Sequence, residues 1–180
     1  NHVMSFFASD VGAQMKSQAE DQLNIKILGP TFFGTRQVGL KPKKKVSTPA
    51  DLAGVKLRMP PGDAWQLLGR SLGANLTPMA FAETYTGLQT GAIDGQDNPL
   101  PTNKDSKFFE VTKQIVLTSH LVDWNFLTIG RKAWDKFTPA QQAIVQKAAD
   151  DASEYARNAQ LKLEAELEAF VKEKGLKVYA

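Results

Sequence analysis

"VKLRMPPGDAWQLLGRSLG", residues 55–73, reads as a strand, a break and a helix. Val55, Leu57 and Met59 alternate with Lys56 and Arg58, the two-residue period of a half-buried strand. Pro60, Pro61, Gly62 and Asp63 interrupt that period. An apolar run at helical spacing then opens at Trp65 and is closed by Gly73, the residue type that ends helices. Arg58 stands one step before the break. In an open α/β sheet ligands bind at the carboxyl ends of strands, and the following helix start favours anions. The planar fork of arginine matches a carboxylate through two parallel charge-assisted bonds. The local pattern therefore points to a carboxylate site. The competing reading is an ion-paired or surface arginine on the outer face of the strand.

The same alternation of strands and helices extends in both directions and predicts an α/β architecture. Ser9 or Asp10 can cap a helix to about Leu23, with Val11, Met15 and Ala19 on one face. "NIKIL" is a strand expected to end at Gly29 and Pro30, with a loop through "TFFGTRQVGLKPKKK". "TPADLAG" is a short turn and "ANLTPM" a short extended piece. "AFAETYTGLQTG" is a helix ending at Gly91, and "AIDGQDNP" a strand running into a turn. "DSKFFEVTKQ" reads as helical, "IVLTSH" as extended and "WNFLTIG" as a strand. Thr138, Pro139 and Gln141 form a capping box with proline at the first helical position. Apolar positions recur from there at Ile144, Ala148, Ala152, Tyr155, Ala159, Leu163, Leu167 and Phe170 or Val171, up to a stop at Gly175. At about 1.5 Å per residue that helix is roughly 50 Å long, longer than a small domain is wide. "LKVYA" is a final short strand.

Composition excludes several classes of function. The chain has 180 residues, 42% hydrophobic and 23% charged, with a net charge of +3. That charge is too weak and dispersed for a nucleic-acid surface, and "KPKKK" lacks interleaved aromatics. No cysteine is present, which removes disulfides and thiolate catalysis. The two histidines, His2 and His120, have no ligand or base at helical spacing and read as hydrogen-bonded or surface groups. Ser119, His120 and Asp123 are too crowded for a hydrolase triad, and no nucleophile elbow exists. Asp94 and Asp97 in "GAIDGQDNP" lack the spacing of a calcium loop. No glycine-rich phosphate loop appears. No catalytic residue and no metal site are expected.

"DLAGVKLRMP", "LGANLTPMAFAETYTGLQTGAIDGQDNPL" and "SKFFEVTKQIVLTSHLV" together resemble the DctP-type solute-binding proteins of TRAP transporters, the tripartite ATP-independent periplasmic carriers for organic acids. The resemblance runs in order along nearly the whole chain. It implies a two-lobe fold like that of periplasmic binding proteins, with a long lobe-bridging C-terminal helix and without the opening part of the first lobe. Residues 1–33 and 124–163 would be the remainder of lobe one, and 34–123 with 164–180 lobe two. On the family pattern Arg58 clamps the ligand carboxylate, and Arg36 of "GTRQ" gives a second contact. Asn98 of "QDNP" also touches the ligand, and Phe81 packs on it. Asp97 replaces the commoner glutamate of that motif. Trp65 reads equally as cleft lining or as core, and Trp124 as a ligand-contacting residue near the interlobe cleft. Trp134 and Tyr85 read as packing, and Glu83 as a helix-start charge. The implied function is capture of an organic acid in the periplasm and delivery to the membrane permease subunits. No cofactor, nucleic-acid partner or catalysis is implied. The alternative is an extracytoplasmic sensory module for an organic acid.

Overall fold

The computed structural model describes residues 2–179. In chain order the elements are α1 (His2–Phe7), α2 (Asp10–Leu23), β1 (Ile25–Leu40), β2 (Lys56–Met59), α3 (Asp63–Ser71), β3 (Asn75–Pro78), α4 (Thr84–Thr90), β4 (Gly95–Pro99), α5 (Leu100–Asp105), β5 (Gln114–Gly130), α6 (Arg131–Trp134), α7 (Pro139–Glu173) and β6 (Lys177–Tyr179). The chain divides into two compact units, Asn1–Phe33 with Trp124–Gln160, and Gly34–Asp123 with Leu161–Ala180. β1, β5 and α7 each run from one unit into the other.

The first unit is organised by caps and buried carbonyl contacts. Ser9 Oγ accepts from the backbone N–H of Gly12 at 3.2 Å and so starts α2. Asn24 ends it in the left-handed region at φ 53°. The first part of α7 packs through Val145 and Ala149 on Leu28, Trp134, Ile129 and Phe137. Gln146 and Gln160 each donate to a carbonyl of β1, those of Leu28 and Phe33. The capping box forms as expected: Gln141 N donates to Thr138 Oγ1, and Thr138 N to Gln141 Oε1. The expected apolar stripe of α7 is out of phase here. Ile144 is 69% and Tyr155 76% exposed, and Ala148 and Ala152 are exposed too. Alanines weigh little in a periodicity, and the face turned inward is the one that carries Val145, Ala149 and the two glutamines bonded to β1. Val11 and Met15 of α2 are solvent-exposed, and Met15 lines an apolar groove together with Phe7, Leu23 and Phe126.

In the second unit the strands lie in the order β3-β2-β4-β1-β5-β6. β2 pairs parallel with both β3 and β4, and β1 pairs antiparallel with β4. One face carries Val38, Leu40, Leu57 and Met59, covered by Trp65 and Leu68 of α3 and by Leu72 just after it. Elsewhere in the unit Leu100 and Ile115 pack on Leu167 and Val171 of α7, and Leu88, Ile93 and Phe108 form a further cluster. The helix α3 ends as read, with Gly73 at φ 83° and its α-hydrogen side against the Pro49 carbonyl, where no Cβ fits.

Three further expectations are corrected. The loop expected after Gly29–Pro30 is absent, and β1 continues as one strand to Leu40. Its far half is held by register Arg36↔Pro99 to Leu40↔Gly95, a long-range pairing that overrides the local break. "IVLTSH" and "WNFLTIG" are one strand, β5, with Ser119 at φ 45° inside it. The helix expected over "DSKFFEVTKQ" is displaced: α5 begins at Leu100, and only Phe108–Glu110 makes a single 3₁₀ turn. Proline at the second position of α5 and the side chain of Asn103 bonded to the Asn98 and Pro99 carbonyls start the helix early.

Candidate functional site

Five of the sequence-marked residues lie in the second unit: Arg36 on β1, Arg58 on β2, Trp65 on α3, Phe81 in the turn before α4 and Asn98 on β4. Strand register separates them into two groups, because residues paired across a sheet share a face. Arg58 pairs with Gln96, and Asn98 follows two residues on, so these three share one face. Val38 pairs with Asp97 and Arg36 with Pro99, which puts Arg36 and Asp97 on the other.

Arg58 is 2% exposed. Its Nε donates to the Met79 carbonyl at 2.9 Å, and its guanidinium lies 5.8 Å from the ring centre of Phe81. Among the described residues no carboxylate pairs with it, and neither terminal nitrogen is sealed from solvent. Four of its five N–H groups are therefore unspent on protein. Burial holds its pKa below the ordinary arginine value; the Asp97 charge opposes that shift and the Arg36 charge adds to it. A buried cation without a counter-ion is costly, and the group that such a guanidinium can hold is an anion. Phe81 is 49% exposed and contacts Phe108 edge-on at 6.0 Å. Asn98, 3% exposed, donates from Nδ2 to Gln96 Oε1 at 2.7 Å.

Arg36 is different in kind. Its Nε donates to Asp97 Oδ2 at 2.6 Å, its Nη1 to Asp123 Oδ2 at 2.8 Å, and its Nη2 to the Asp97 backbone oxygen and Oδ1. Only one N–H, on Nη1, is left for a ligand. Trp65 stacks on this guanidinium at 4.6 Å while it also packs on the core, the second of the two readings given for it. Burial alone would lower the Arg36 pKa, but the bonds and charges of Asp97 and Asp123 raise it overall. Asp97 also accepts from His120 Nε2 at 3.2 Å, and His120 Nδ1 contacts Thr118 Oγ1 at 2.7 Å. Burial alone would raise the Asp97 pKa; the bonds from His120 and Arg36 and their charges hold it below the ordinary aspartate value.

That depression sets a pH dependence. A lowered folded-state pKa stabilises the fold above the unfolded aspartate value, about 3.9, and the contribution vanishes as pH falls through the folded value. Melting midpoints recorded from pH 6 down to pH 2 should therefore fall more steeply below about pH 4 in the native protein than in Asp97→Asn. Parallel curves for the two would contradict the ionised network.

Trp124 lies in the first unit, its ring 5.5 Å from Phe32 and 6.3 Å from Phe7. Trp134 is buried core, and Tyr85 packs in the Phe108 cluster while its hydroxyl donates to Glu110 at 2.7 Å. Ser119, His120 and Asp123 form no triad: Ser119 Oγ contacts Gln37 Nε2, and His120 bonds Thr118 and Asp97. Asp94 accepts from the Lys56 backbone N–H at 3.0 Å. Among the described residues no group of three or more His, Cys, Asp or Glu could hold a metal, and no helix is long and apolar enough to cross a membrane. Sequence reasoning missed the roles of His120, Asp123, Gln96 and Asn103. His120 and Asp97 are separated by 23 positions, so no local spacing joins them.

The family model described as bacterial extracellular solute-binding protein, family 7 (DctP) matches residues 1–180. The chain is 34% identical over 178 residues to the sialic acid-binding periplasmic protein SiaP of Vibrio cholerae, covering 99% of this chain and 55% of that protein. A TRAP periplasmic solute-binding protein from Roseobacter denitrificans, solved with bound 3-deoxy-D-manno-oct-2-ulosonic acid (KDO), is 52% identical with a TM-score of 0.97, covering 99% of this chain and 60% of that one. A second protein from the same organism, solved with bound L-galactonate, is 33% identical with a TM-score of 0.88, covering 97% and 57%. The chain spans little more than half the length of these relatives. With its whole length matched by one family model, the chain belongs to the DctP family of bacterial extracellular solute-binding proteins.

Proposed function

We propose that this chain is the ligand-capturing part of a TRAP-type periplasmic binding protein, which holds a hydroxylated organic acid by its carboxylate and delivers it to the membrane permease subunits. The observation that carries this is Arg58: a buried guanidinium with no carboxylate partner among the described residues and its terminal nitrogens open to solvent. The ligand carboxylate completes that charge pair through two parallel bonds. Asn98 and Phe81 flank it, one with a polar edge and one with an apolar face. Arg36, already spent on Asp97 and Asp123, adds at most one bond and mainly sets the local charge. The acids bound by the structural relatives, KDO and L-galactonate, are both polyhydroxylated. The process is capture without turnover, in keeping with a solute-binding family.

Calorimetry with KDO, L-galactonate, sialic acid and neutral galactose tests it. At least one acid should bind and raise the melting midpoint, and galactose should not. Binding of galactose as tight as that of the acids, or of no acid at all, would remove the basis of the proposal.

A further inference from the structure

Asn103, Gln96 and Asn98 form a chain of carboxamides whose polarity is set from one end. Asn103 Nδ2 donates to the backbone oxygens of Asn98 at 3.0 Å and Pro99 at 2.9 Å. Carbonyls only accept, so the other terminal atom of Asn103 is its oxygen. Gln96 Nε2 donates to that oxygen at 2.7 Å. Gln96 is left with its own oxygen as acceptor, and Asn98 Nδ2 donates to it at 2.7 Å. Turning over any one amide would set two donors or two acceptors face to face. Gln96, Asn98 and Asn103 are only 0%, 3% and 1% exposed, and an unmade bond there is expensive. Gly39 makes the room: a Cβ at that position would stand 2.7 Å from Gln96 Nε2.

Asn98 consequently has one fate for its oxygen. Oδ1 accepts nothing from the described residues, and it is not sealed from solvent. It lies on the sheet face that carries Arg58, which pairs in register with Gln96.

We propose that Gln96 and Asn103 are positioning residues that present Asn98 Oδ1 as an acceptor beside the Arg58 guanidinium, so that the site selects acids with a hydroxyl on the carbon next to the carboxylate. This rests on the carboxylate site described above. A cation beside a neutral acceptor matches an anion beside an O–H donor. An acid lacking that hydroxyl leaves Oδ1 unpaired and loses roughly tenfold to a hundredfold in affinity.

The test compares KDO with its 2-deoxy analogue by calorimetry, in the native protein and in Gln96→Met. Methionine keeps the shape and removes both bonds, so Asn98 is free to turn. The native protein should prefer KDO by at least about tenfold, and Gln96→Met should shrink that preference to about threefold or less. A ratio between two ligands on one folded protein is not moved by a merely structural loss. An unchanged ratio in the variant, or no preference in the native protein, overturns the proposal while leaving the carboxylate site intact. Failure of the native protein to bind KDO, its 2-deoxy analogue, L-galactonate or sialic acid overturns both. Should Gln96→Met not fold, side-chain amide exchange in the native protein decides: the Gln96 and Asn103 NH₂ groups should exchange at least about a hundredfold more slowly than exposed amides. Fast exchange of either ends the proposal.

Discussion

Arg58→Ala should weaken binding of the captured acid by at least about tenfold, and by roughly a hundredfold where the contact is bidentate, because removing one partner of a buried charge pair costs about 2–5 kcal/mol. Arg58→Lys should restore only part of the loss, since an ammonium cannot reproduce the planar two-bond fork. The same substitution to alanine should leave the melting midpoint of the ligand-free protein unchanged or slightly higher. The reason is that Arg58 has no carboxylate to release: its single protein bond is to the Met79 carbonyl, and burial works against its charge. Affinity would fall while stability does not. Titration showing native affinity in Arg58→Ala sinks the carboxylate site, and a collapse of the unliganded fold would make this arginine a structural pivot instead.

Arg36→Met should have the opposite signature. It leaves the Asp97 carboxylate, 0% exposed, without its main counter-charge. Breaking a buried pair by removing one partner costs about 3–5 kcal/mol. For a chain of this size each kcal/mol moves the midpoint by about 2–4 °C, so a fall of roughly 10 °C is expected by calorimetric scanning. Asp123 loses a partner as well but is less buried, at 17% side-chain exposure, and contributes less. Replacing both ends, Arg36→Met with Asp97→Leu, should recover most of the loss, because the fully buried carboxylate is gone and only the more exposed Asp123 has lost a partner. A double variant as unstable as the single one would show that the pair acts through shape and not through charge. Ligand affinity in Arg36→Met should change far less than in Arg58→Ala, since four of the five Arg36 N–H groups never face a ligand.

These two arginines show how far a sequence can be read. Both were marked from motifs as carboxylate contacts, and the α/β class, the family and the strand-turn-helix around Arg58 follow from patterns within a few residues. Val55 to Gly73 carries its own punctuation: alternation, a proline break, helical spacing and a left-handed stop. The capping box at Thr138 is equally local. What separates Arg58 from Arg36 is not local. Asp97 lies 61 positions from Arg36 and Asp123 lies 87, and only the pairing of β1 with β4 and the path of β5 bring them together. The same pairing turns the expected loop after Pro30 into strand. A chain encodes periodicity and turns in neighbouring residues, where steric and capping forces act over a few ångströms. Which buried charge finds a partner, and which is left open for a ligand, is settled by contacts between distant segments that exist only once the sheet has closed its register.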